Sequence, residues 1–195
     1  MLSARFEEAL GFTAQLHARQ TRKATSIPYV AHLLAVASIA IEHGADEDEA
    51  IAALLHDAIE DQGGKAIAAE IGKRYGDRVV DIIRGCSDTD VIPKPPWRSR
   101  KEAYVTHVRE ASPSVRLVSA ADKLHNVRSV LADYRQMGER LWRRFNGGKE
   151  GTLWYYRALV DAFRAAGSTP LIEELDRAVL ELERLVADDP AAASR

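Results

Sequence analysis

Apolar residues at Leu2, Phe6, Leu10 and Leu16 recur near helical spacing and predict a first helix within MLSARFEEALGFTAQLHARQ. The polar TRKATSI that follows reads as a loop. Pro28 suits a first helical turn, so PYVAHLLAVASIAIEHG predicts a second helix ending at Gly44. Asp46, with Glu49 three residues on, makes a variant of the capping box for a third helix, EDEAIAALLHDAIED, which Gly63 and Gly64 end. KAIAAEIGKRYG and DRVVDIIRGCS predict two short helices parted at Gly76. SDTDVIPKPPWRS resists a helical reading, with three prolines in four positions, and predicts a surface loop across 91–99. Beyond it RKEAYVTHVREA, a long helix from about Ser114, TLWYYRALVDAFRAA and the strongly amphipathic PLIEELDRAVLELERLV all keep the helical period. No internal repeat, strand alternation or second domain boundary stands out. The expectation is one all-α domain over 1–187, with a frayed tail over 188–195. Its architecture should be a bundle of about eight to ten helices.

Composition narrows the class. Hydrophobic residues make up 46 % and aromatics 7 % of the 195, with many Ala and Leu, a balance that favours packed helices over a sandwich or barrel. The net charge of −2 gives no global basic field to draw in nucleic acid. One cysteine, Cys86, excludes an internal disulfide framework and fits a reducing cytoplasm. No apolar run approaches the roughly 20 residues of a membrane span. The amphipathic last helix can pack on the domain or on a second copy of the chain, which leaves a homodimer open.

The chemistry concentrates in LLHDAIED, Leu54 to Asp61, where a histidine and three acids follow two leucines. Ionised carboxylates and an imidazole beside apolar side chains need pairing, hydrogen bonds or a metal. His56 and Asp57 are adjacent, about 100° apart on a helix, and can straddle one point only if a helix end looks at it. Further ligands would have to come from other helices. His32, among apolar neighbours in PYVAHLLAVA, and Asp122, a poor helix former within VSAADKLHNV, offer themselves. A lone histidine in an apolar helix is more often a hydrogen-bonded core residue, so the set gains weight only as a set. Two imidazoles and two carboxylates suit Mn²⁺, Fe²⁺ or Zn²⁺ better than Ca²⁺.

In the order His32, His56-Asp57, Asp122, this pattern resembles the H…HD…D signature of the HD phosphohydrolase superfamily. RKATSIPYVAHLLAVA, AALLHDAIED and ADKLHNVRS are similar to the hydrolase domain of the RelA/SpoT homologues, especially the small alarmone hydrolases. The likeness runs from about Ala4 to Ala165. It implies an HD-domain helical bundle and removal of the 3′-pyrophosphate from guanosine tetra- and pentaphosphate, (p)ppGpp. It also implies one Mn²⁺ on the four ligands, with Glu60 or Asp61 positioning or deprotonating the attacking water. For the nucleotide it implies Arg22 on the base, Lys23 and Lys94 on phosphate, and Asn126, with Arg128 and Ser129 beyond it, on ribose or phosphate. Arg98, Arg100 and Lys101 extend the basic patch around Lys94 or form a solvated face. Trp154 or Tyr155 could meet ribose and base, though a Trp-Tyr-Tyr run is more often core.

The Arg-Lys loop is spaced differently before His32, and PKPPW looks like a short insertion. Related small hydrolases also act on adenosine counterparts such as ppApp, so two enzyme readings stand, with a guanine or an adenine (or other nucleotide) substrate. A non-catalytic nucleotide-binding module is the third, and Glu60 with Asp61 argues against it. Cys86 lacks a His-Asn arrangement and reads as structural. His17, His43, His107 and His125 read as surface or packing residues, His125 lying beside the active-site helix.

Overall fold

In the computed structural model, residues 1–89 and 93–189 are described, and every regular element among them is helical: ten α-helices and one 3₁₀ helix. The all-α expectation holds. The helices divide between two compact units, residues 1–94 with 111–122, and residues 95–110 with 123–195. Among the described residues, no helix is long and apolar enough to cross a membrane. The expected tail lies outside the described residues from 190 onward, as do Val91 and Ile92 of the expected loop.

The first unit is built on a short helix whose last six residues have no polar face. After α1 (Ala4–Leu16) and α2 (Val30–Glu42), α3 spans Glu47–Leu55, and every residue from Ala50 to Leu55 is fully buried. A helix apolar all round belongs inside a core. Its alanines let α1, α2 and α6 (Asp77–Cys86) pack directly against it. The expected capping box is present: Asp46 accepts from the Glu49 N–H at 3.0 Å, and Glu49 accepts from the Asp46 N–H at 2.8 Å. Three acids in the first turn further suit the positive end of the helix dipole.

One correction lies here. EDEAIAALLHDAIED does not form one helix; it breaks at His56–Asp57 and resumes as α4, Ala58–Gln62. The His56 ring Nδ1 lies 2.9 Å from the Ala53 carbonyl oxygen and donates to it, taking an acceptor of the helical ladder. At Asp57 the backbone drifts to the edge of the helical region, with φ −98° and ψ −3°.

Between α1 and α2 the loop from Gln20 to Tyr29 is closed by backbone bonds, Arg22 N–H to Ile27 O and Tyr29 N–H to Gln20 O, each 2.9 Å. Helix α2 therefore starts at Val30, later than Pro28, whose place is in an isolated bridge with Thr21. Helices α5 (Lys65–Tyr75) and α6 meet at Gly76, as the sequence suggests. The first half of α8 (Pro113–Met137) completes this unit. Val115 packs so closely on α6 that a Cβ on Gly85 would lie 2.5 Å from its Cγ2.

In the second unit, α7 (Trp97–Glu110) and α10 (Pro170–Ala187) pack on α9 (Gly148–Ala165), preceded by the 3₁₀ turn Gly138–Arg144. Helix α7 begins inside the expected 91–99 loop, so Arg98, Arg100 and Lys101 lie on a helix. Thr169 caps α10 and Pro170 occupies its first turn. Leu171, Leu175 and Leu182 of α10 are buried within the unit, beside Asp176, which Arg157 and Arg164 hold at 2.7 and 2.9 Å.

The Gly85 contact generates the first prediction. Gly85→Ala should destabilise the protein by about 1–3 kcal/mol, since a β-branched neighbour cannot move aside cheaply. Urea denaturation of the variant and the parent measures the difference.

Candidate metal centre and acidic pair

The break in α3 brings both halves of His56-Asp57 to one point. His56 caps the buried helix, Asp57 opens α4, and the two point to the same place because the chain turns between them. His32 reaches that place from the first turn of α2, and Asp122 from α8. His32 Nε2 and His56 Nε2 lie 3.2 Å apart. Asp122 Oδ1 is 3.3 and 3.7 Å from these nitrogens, and Asp57 Oδ2 is 3.8 and 3.2 Å away. Donors bonded to one ion at about 2.0–2.2 Å stand about 3–3.5 Å apart, so this spacing fits a single shared cation. The ligand atoms of His32, His56 and Asp57 all fall within 4.8 Å of one another. The tetrad has the donor composition and spacing that a divalent metal needs.

Its electrostatics support the same reading. Both imidazoles are buried at 3 % or less exposure. Burial pushes His32 below its ordinary pKa, with the Asp122 bond opposing, which keeps its lone pair for a metal. Burial also works against a charge on His56, but Asp57 and Asp122 outweigh it and hold His56 well above the usual histidine value. Asp57 is the converse: burial would raise its carboxyl, and the His56 charge holds it well below the carboxylate range. A buried pair of carboxylates thus demands a positive partner, a proton on His56 or a metal in its place.

The ligands are themselves oriented. The His56 Nδ1 bond to Ala53 directs Nε2 at the metal position. Tyr29 was not among the residues expected at the site, yet its hydroxyl donates to Asp57 Oδ2. Burial, then the Asp57 carboxylate, raise the Tyr29 pKa far above that of a free phenol, so it remains a donor. Its ring stacks on His17 at 5.7 Å and tilts against His32 at 5.3 Å.

Beside the tetrad stand the two expected acids, with different partners. Glu60 pairs with Lys94 at 2.5 Å, and Asp61 Oδ2 accepts from Gln20 Nε2 at 2.7 Å. Arg22 and Lys23 lie in the closed loop that leads to Tyr29, Arg22 half-buried and Lys23 exposed. Ala24 next to them has φ +59°, a left-handed conformation unusual for alanine.

The HD domain family model matches residues 9–152, spanning all four tetrad residues. The chain belongs to the HD domain family. It is 36 % identical over 126 residues to the guanosine-3′,5′-bis(diphosphate) 3′-pyrophosphohydrolase MESH1 of Xenopus tropicalis, covering 63 % of this chain and 68 % of that protein. The Homo sapiens protein of the same name is 33 % identical over 131 residues, covering 66 % and 70 %. A solved structure described as "A metazoan ortholog of SpoT hydrolyzes ppGpp and plays a role in starvation responses" aligns with TM-score 0.76 and 26 % identity, over 95 % of this chain and 98 % of that one. These relatives bear out the resemblance seen in H…HD…D.

The remaining expected contacts of this HD domain lie in the second unit. There Arg128 pairs with Glu174 of α10, and Ser129 Oγ donates to the His125 carbonyl at 3.0 Å. Asn126 is half-buried on α8. Tyr155 is buried under the Lys101 ammonium, 4.9 Å from its ring centre, and Arg98 lies 3.3 Å over the half-buried Trp154. Cys86 Sγ accepts from Ser119 Oγ at 3.6 Å, a structural thiol. His17, expected to be a surface or packing residue, is 2 % exposed. His107 is exposed, while His43 and His125 are half-buried. Tyr29, Gln20 and His17 are the partners that sequence reasoning missed. Their one available signal was position: Tyr29 stands three residues before His32, and Gln20 two before Arg22.

Adding Mn²⁺ at about 100 times its dissociation constant should stabilise the fold by about 2.7 kcal/mol, visible as a rise in Tm. Asp122→Asn should lose that rise while remaining folded. Tyr29→Phe should bind the metal about 10–100-fold more weakly with its secondary structure intact, as calorimetric titration will measure.

Proposed function

We propose that this HD domain is an Mn²⁺-dependent phosphohydrolase that removes the 3′-pyrophosphate of (p)ppGpp to give GDP or GTP and pyrophosphate. The observation that carries the proposal is the tetrad His32, His56, Asp57 and Asp122 with acids one turn further along, in a chain whose relatives are named for this reaction. A bound divalent ion supplies Lewis acidity toward the phosphate and lowers the pKa of water. Two imidazoles with two carboxylates favour Mn²⁺ over Ca²⁺ as that ion.

The residues of the chain do the rest. Glu60 or Asp61 takes the proton of the attacking water, a general-base role that needs a carboxylate next to the reacting phosphorus. Water adds to the phosphorus joined to the 3′-oxygen, the P–O3′ bond breaks, and the 3′-oxygen leaves with a proton. Lys94, held by Glu60, is a cation that incoming phosphate can take over. Lys23 adds a second phosphate partner, and the flat guanidinium of Arg22 stacks on the purine. The roles of Asn126, Arg128, Ser129 and Tyr155 as nucleotide contacts rest on the D-K-L-x-N-x-R motif and the family likeness. Cys86, the one cysteine, is outside any disulfide, which accords with a cytoplasmic enzyme.

Two outcomes are expected when ppGpp and ppApp are incubated side by side with and without Mn²⁺, with products resolved by anion exchange. Pyrophosphate and GDP should appear from ppGpp only with the metal, and folded Asp57→Ala and Asp122→Ala variants should release none. Faster turnover of ppApp with poor ppGpp hydrolysis would move the assignment to the adenine alarmone. Nucleotide binding without any turnover would make the protein a sensor.

A further inference from the structure

We infer that Gln20 is a positioning residue for Asp61, its amide fixed by the buried His17, and that through it the α1–α2 loop aims the proton-accepting carboxylate. The inference rests on the hydrolase reading above and assigns Asp61, of the two acids, to the water.

The amide of Gln20 has one orientation. Its Oε1 lies 2.6 Å from His17 Nδ1 and 2.6 Å from Gln62 Nε2, both donors, while its Nε2 lies 2.7 Å from Asp61 Oδ2. Turning the amide over would set its NH₂ against two donors and its oxygen against a carboxylate. His17 enforces this polarity. Its Nε2 is buried with no hydrogen-bond partner, so a proton there would be stranded, and the ring proton is assigned to Nδ1. The ring cannot swing away, since it is stacked on Tyr29 and 2 % exposed. Gln20 is held at its backbone too, donating to the His17 carbonyl at 3.0 Å and accepting from Tyr29 N–H at 2.9 Å.

Asp61 needs such a partner. It is exposed in the first turn of the five-residue α4, where a carboxylate is otherwise free to rotate. Gln20 occupies Oδ2, which leaves Oδ1 to receive a proton. An open recess of about 400 Å³, lined by Leu16, Arg19, Gln20, Asp61 and Gln62, lies beside that carboxylate. Glu60, by contrast, is paired with Lys94 before any phosphate arrives. A neutral amide donor steadies Asp61 without quenching its charge.

The test is a double-mutant cycle on pyrophosphate release. Gln20→Met, close in shape but unable to donate, should lower kcat about tenfold or more while KM and Mn²⁺ affinity stay within about twofold. His17→Phe, which keeps the stack on Tyr29, should lower kcat by a smaller factor. In an Asp61→Asn background neither change should cost anything further. Crystals of Gln20→Met should show the Asp61 side chain in more than one rotamer. Equal losses in both backgrounds, or weakened metal binding with unchanged kcat, would overturn the inference. If the parent enzyme releases no pyrophosphate, the hydrolase reading fails, and a single unchanged Asp61 rotamer in Gln20→Met then overturns the positioning claim separately.

Discussion

Two carboxylates and two imidazoles converge at the buried, apolar end of α3. Taking such groups out of water is costly unless a positive charge joins them, and the two carboxylates push the His56 pKa well above its usual value. That arrangement suits a divalent ion, which would satisfy both carboxylates and use both imidazole lone pairs. The core enforces the geometry: residues 50–55 of α3 are buried on every side, and α2, α6 and the start of α8 belong to the same unit. The ligand positions are therefore set by apolar packing as much as by their own bonds.

The same economy of parts continues outward. The ring bond from His56 to Ala53 both ends α3 and aims the imidazole. Tyr29 ends the loop and holds Asp57, while its ring steadies His17 and, through it, Gln20. The two acids thereby acquire different environments, Glu60 beside an ammonium and Asp61 beside an amide. Groups of one residue type are separated into roles by their neighbours.

Much of this was legible in the chain. Helical period, the Asp46–Glu49 box and Gly76 give the elements, and the order His32, His56-Asp57, Asp122 picks out four residues that converge. The break at His56–Asp57 was not legible, because LLHDAIED has the composition of a continuous helix and a side-chain bond to Ala53 interrupts it. The start of α7 at Trp97 was masked by the prolines just before it. Tyr29, Gln20 and His17 carry no periodic signal; their role arises only when the loop closes and sets them against α4. The division into two units was legible only in part: one crossing falls in the proline run, between Lys94 and Pro95, while another falls inside the uninterrupted helix α8.

The most direct test of the central claim is anomalous diffraction at the manganese edge from crystals grown with Mn²⁺. The account predicts one strong peak, about 2.0–2.3 Å from His32 Nε2, His56 Nε2 and an oxygen of each of Asp57 and Asp122. A peak elsewhere, or four side chains with no shared ion at saturating metal, would contradict it.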